Sequence, residues 1–161
     1  MRTSSSIALA TVLALSFPWA VHAQEPSSAR QTFRVDDSGT VVLDPSLEMQ
    51  WQSVGRVSAS NIVSASTRVS VQLNLSLWLG LSGRIFMNLP RTSGPTVRAS
   101  WTTGGILHPG TLISGDRALV YSGPISSAVL RDVLDIELEA DGARLNEPEA
   151  LTFGFEIEID Q

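Results

Sequence analysis

His108 is the first residue to weigh for chemistry, because His22 lies in an N-terminal stretch that reads as a leader and no other histidine follows it. One histidine cannot build a multi-histidine zinc site. As a general base it would need a positioned nucleophile, yet its setting, "ILHPG", is a turn, and the chain has no nucleophile-elbow pattern. Asp135, Glu137 and Glu139 alternate along one expected strand, which puts three carboxylates on one face. Such a row can attract a cation weakly, but as a solvated face it needs no ligand. Glycoside hydrolysis needs two carboxyls across a cleft rather than along one exposed strand. "DDSGTVVLD" lacks the spacing of a calcium loop, and "NLS" at Asn74 matches the glycosylation acceptor pattern inside an expected strand. Catalytic, cofactor-binding and metal-ligating residues are therefore assigned to none, no cofactor is expected, and the chain reads as non-catalytic.

Composition narrows the chemistry further. There is no cysteine, which excludes a disulfide framework, a thiol nucleophile and a cysteine-bound metal. All 11 cations are arginine, which removes Schiff-base and Walker-type lysine chemistry. A sequence pI of about 4.9 without a basic cluster argues against nucleic acid as a partner. Charge is unevenly placed: no acid occurs between Glu48 and Asp116, where five arginines lie, whereas acids dominate from Asp132 to Asp160. Two arrangements follow from that asymmetry. The basic and acidic regions can pair as neighbouring strands of one molecule, or they can steer subunits together head to tail.

Large aromatic rings are the remaining candidates for binding. Trp51, Trp78, Trp101 and Tyr121 lie beyond the leader. In "TRVSVQLNLSLWLG", Val69, Val71, Leu73, Leu75, Leu77 and Leu79 occupy one parity and Trp78 the other, so one uninterrupted strand would place Trp78 opposite the leucines. Trp78 and Trp101 are the candidate ligand or interface residues, with core packing as the competing role.

The elements that must position these residues are strands. Residues 1–23 read as a signal peptide, with Arg2, an apolar run from Ile7 to Phe17 and a small-residue ending at Ala23. Its apolar run is too short to span a membrane, and none of the later segments is continuously apolar for long enough, so an exported protein without a membrane span is expected. Residues 24–35 form a polar N-terminal extension, and residues 36–161 one domain. "QTFRV" and "TVVL" around "DDSG" predict a hairpin, and Asp141-Gly142 predicts another. "TTGGILHPGTLISGD" reads largely as turns, and a change of apolar parity near Val129 predicts a bulge or strand start at Asp132. "TVRASW" puts Val97, Ala99 and Trp101 on one face, while "LTFGFEIEID" alternates almost to the last residue. No segment carries a sustained helical period with caps. An all-β chain follows: a single immunoglobulin-like antiparallel sandwich.

The signal peptide, the cysteine-free β-domain, the N-terminal extension, "TVRASWTTGGIL" and the alternating terminal strand together resemble a bacterial chaperone-usher fimbrial subunit, nearest to the cysteine-free pilins of the alternate, colonization-factor-antigen class. The local match is confined to the neighbourhood of Trp101, Gly104 and Gly105. The resemblance implies an incomplete domain completed by the N-terminal strand of the next subunit. It also implies export to the periplasm and cell surface, with other copies or related subunits, a periplasmic chaperone and an outer-membrane usher as partners. The donor would lie within residues 24–35, where Phe33 and Val35 alternate. The other reading is a self-contained secreted sandwich that binds a glycan or protein ligand.

Overall fold

The computed structural model describes residues 30–43, 50–51, 61–91, 93–144 and 152–159. They form ten strands: β1 Gln31–Arg34, β2 Val41–Val42, β3 Gln50–Trp51, β4 Ile62–Asn74, β5 Ser82–Asn88, β6 Val97–Thr103, β7 Gly110–Ile113, β8 Arg117–Pro124, β9 Val129–Asp141 and β10 Gly154–Ile159. Two antiparallel sheets pack face to face as a β-sandwich. One has the order β1-β10-β5-β8; the other has the order β2-β4-β9-β6-β7, with β3 also paired to β4. Among the described residues no helix is long and apolar enough to cross a membrane.

Alternation is what makes the sandwich. β4 buries Val63, Ala65, Thr67, Val69, Val71 and Leu73, and β9 buries Leu134, Ile136, Leu138 and Ala140 opposite them. β10 buries Phe155, Ile157 and Ile159, and β5 buries Ile85 and Met87. The two sets meet in one core. Each large side chain removed from water there contributes roughly 1.5–3 kcal/mol before the entropy of ordering is counted. The uneven charge is resolved within the molecule: Arg68 pairs with Asp135 at 2.7 Å, Arg84 with Glu158 at 2.6 Å and Arg117 with Glu158 at 2.7 Å. Arg68 and Arg84 lie on strands beside their acids, and Arg117 reaches Glu158 from β8 across β5.

Several sequence expectations are corrected. β1 and β2 do not form a hairpin; the turn after β1 carries the chain from one sheet to the other, and Asp36 makes an isolated bridge to Asn74 on the way. Asp141-Gly142 also leads into a sheet change, since β9 pairs with β4 and β6 while β10 pairs with β1 and β5. β9 runs through Asp132 without a register shift against β4; the irregularity lies between Ile85 and Phe86, where β5 meets β8. The stretch read as turns contains β7, which pairs with β6.

The long strand ends at Asn74, whose side-chain carbonyl accepts from the Ser76 N–H and hydroxyl. A short 3-10 turn, Ser76–Trp78, follows and reverses the parity. Leu75 stays buried, Leu77 is 83% exposed and Trp78 is only 9% exposed. Gly80, at φ +80°, completes the reversal in a conformation that costs a side-chain-bearing residue roughly 1–2 kcal/mol. Trp78 is thus a core residue in this chain, and the leucines after it face water.

Candidate functional site

The terminal strand β10 lies inside its sheet, with β5 on one edge and β1 on the other. β1 supplies four residue pairs, from Gln31 opposite Ile159 to Arg34 opposite Glu156. All four of its residues are exposed. Its attachment comes from the ladder and two apolar contacts. Phe33 is 41% exposed and its ring lies 6.0 Å from that of Trp78. Val35, just past the strand, is buried and donates its N–H to the Phe155 carbonyl at 2.9 Å. The two candidate donor residues therefore hold the N-terminal strand in the chain's own sheet, and Trp78 forms part of their seat.

Trp101 lies elsewhere. It is 2% exposed on β6, and its Nε1–H donates to the His108 carbonyl at 2.9 Å. Gly110 stands opposite it in the register, and a Cβ at that position would press on the indole ring. Both tryptophans are packed inside the chain, so neither presents a ring to solvent; the side chain of Trp51 lies outside the described residues. Tyr121 packs partly against the core and donates its hydroxyl to the Pro124 carbonyl. His108 is exposed in the loop joining β6 and β7; its backbone bonds Val120 and Trp101, and its imidazole makes no hydrogen bond among the described residues. The loop is fastened instead by Asp132, which accepts from the Thr103 hydroxyl and the Leu107 N–H, both at 2.8 Å.

Two polar surfaces were only half legible in the sequence. On the outer face of the four-stranded sheet, Glu158 is buried between Arg84 and Arg117, and the Arg117 guanidinium lies 4.3 Å from the centre of the Phe86 ring. Alternation marks Glu158 as outward-facing, and it gives no sign that two arginines from different strands would cover it. On the outer face of the six-stranded sheet, an open groove of about 920 Å³ runs over hydroxyls and charges. Ser66, Glu137, Ser100 and Thr111 form one register row, and Arg68, Asp135 and Thr102 form the next. Asp135 and Glu137 share that face as their spacing requires, with Asp135 engaged by Arg68. Among the described residues, no three His, Asp or Glu side chains stand close enough together to hold a metal ion. Such a floor can exchange hydrogen bonds with a polyhydroxylated or peptide ligand.

The turn after β1 shows the clearest electrostatic perturbation. Asp36 accepts hydrogen bonds from the Ser38 hydroxyl and backbone N–H, with a further contribution from the Asn74 side chain, and these hold its carboxyl below the ordinary aspartate range. No protein-family model matches the chain, and no curated protein matches it.

Proposed function

We propose that the protein is a non-catalytic, exported structural subunit of a bacterial surface fimbria or adhesive assembly, which joins other copies or related subunits by sharing its N-terminal strand. The observation that carries this reading is the contrast between β1 and its neighbour. β1 is short, wholly exposed and at an edge, whereas β10 is a core strand whose Phe155, Ile157 and Ile159 need that edge covered. An edge strand of four residues attached through its ladder, the Phe33 ring and one buried valine can be supplied by its own chain or by another with the same contacts, which is the condition for strand exchange. The resemblance adds a periplasmic chaperone and an outer-membrane usher as the partners that would keep the subunit from closing on itself before assembly.

The test uses the register itself. Gln31 lies opposite Ile159, so residues 31–35 moved behind the C-terminus on a short Gly-Ser linker can fold back antiparallel onto β10. The exported protein is expected to give a denaturant-resistant ladder on unboiled gels. Deleting residues 24–35 should abolish the ladder, and the C-terminally moved strand should give a stable monomer. A stable monomer from the unaltered protein at every concentration, with the same melting temperature after deletion, would refute the reading.

A second reading, a self-contained sandwich that binds a glycan or protein ligand, is favoured by the polar groove over Glu137 and Asp135. Glycan-array binding that disappears in Glu137→Ala, in a protein that forms no ladder, would select it.

A further inference from the structure

The core contains a space that packing does not fill. Between the sheets lies a cavity of about 270 Å³, floored by Val71, Met87, Leu134, Leu138 and Phe155, all buried and drawn from four strands of both sheets. Native interiors seldom hold voids larger than a water molecule, and apolar walls give water few hydrogen bonds, so such a space favours an apolar occupant over solvent. The lining passes from these buried residues to exposed ones at Arg34, Val42 and Thr152, where the cavity opens beside the end of β1. Arg34 forms no ion pair among the described residues. Glu156, opposite it in the register, is engaged by Asn88 and Arg117. Thr152 adds a hydroxyl at the mouth, the Thr40 hydroxyl is bonded to the Gln72 backbone, and Asp37 adds the one acid among the lining residues.

We propose that this cavity binds a free, single-tailed carboxylate of medium chain length. Its tail lies between the sheets and its head group at Arg34 of β1, so the site needs that strand in place, whether its own chain or another copy supplies it. Size sets the tail: a methylene is close to a water in volume, so the space takes about eight to ten carbons. Charge sets the head: a guanidinium without an ion-pair partner at the mouth of an apolar pocket favours an anion, and the Thr152 hydroxyl can donate to the same oxygens. Asp37 opposes that preference and gives the proposal a second sign to check.

The experiment titrates the purified protein with decanoate, decanol and decyltrimethylammonium below their micellar concentrations, following methyl resonances and heat of binding. Decanoate is expected to bind with saturation, to shift the methyl signals of Leu134 and Leu138, and to bind about tenfold tighter than the cationic analogue. Arg34→Gln should remove that preference, and Asp37→Asn should enlarge it. Val71→Phe fills the space; should it fail to fold, the smaller Val69→Leu provides the same test, and either must weaken decanoate severalfold. Equal affinity for the two charged tails overturns the proposal. So does decanoate binding that leaves the Leu134 and Leu138 methyls unmoved or that survives the filling substitution, and so does the absence of saturable binding.

Discussion

Replacing Glu158 by glutamine should be among the most damaging single-atom changes available in this sandwich. The carboxylate is buried on β10; one oxygen accepts from Arg84 Nη2 at 2.6 Å and the other from Arg117 Nη2 at 2.7 Å. Glutamine keeps the shape and one acceptor oxygen but turns its amide N–H groups toward the second guanidinium, so one bond loses the acceptor's charge and the other becomes a clash of donors. Hydrogen bonds to charged groups contribute about 1.5–3 kcal/mol each, and breaking a buried pair costs about 3–5 kcal/mol. The Arg117 side chain is 44% exposed and can turn to water, which lowers its share. Arg84 is less free: its Nε is already inaccessible and without a hydrogen-bond partner. A loss of about 3 kcal/mol follows, equivalent to a fall in melting temperature on the order of 10 °C for a domain of this size. Urea unfolding followed by tryptophan fluorescence measures it, with an unchanged m-value as the check that the folded and unfolded states stay comparable. The companion is a double-mutant cycle: Arg84→Met with Glu158→Met should recover most of what Glu158→Met alone loses, because the stranded guanidinium is gone. A glutamine variant within about 1 kcal/mol of the parent, or a double variant no more stable than Glu158→Met, would show that the three groups do not form the coupled unit described.

Two further predictions concern the loops. Asp132→Ala should release the segment after β6, because the Thr103 hydroxyl and Leu107 N–H lose their acceptor; about 2 kcal/mol of stability and a marked acceleration of hydrogen exchange at the Leu107 amide are expected, and an unchanged exchange rate there refutes the staple. Asp36 has a depressed carboxyl pKa, so its contribution to stability is fully present above the ordinary aspartate value and is lost as pH falls through the lowered one. A carboxyl-carbon titration should place the Asp36 midpoint below about 3.9, and Ser38→Ala should move it back up; a midpoint at the ordinary value contradicts the turn geometry.

Wherever burial follows a period of two, the sequence could be read directly. Val97, Ala99 and Trp101 on β6, the apolar row of β9 and the terminal ladder of β10 all occupy the buried face that alternation assigns them. Phe33 and Val35 were also visible as an alternating pair, although not which strand they would cover. Arg34, between them, carried no signal of its own, since an isolated arginine in a short polar stretch looks like any solvated cation. The groove over Glu137 was legible only as acidic alternation; its hydroxyls arrive from β4, β6 and β7 through pairing.

The sequence by itself determined that this chain is a β-protein without a thiol or lysine chemistry, and which face of most strands avoids water. Those properties depend on side-chain type and on a local geometry that repeats every two residues. Tertiary structure alone decided which sheet each strand joined, that Trp78 turned inward after Asn74, that Glu158 was covered, and that a cavity opened beside β1. A turn signal such as Asp36-Asp37-Ser38-Gly39 or Asp141-Gly142 says only that the chain bends. Whether the next strand pairs with the last one or crosses to the facing sheet is set by the sum of contacts between segments far apart in the chain, and neither segment carries that sum alone.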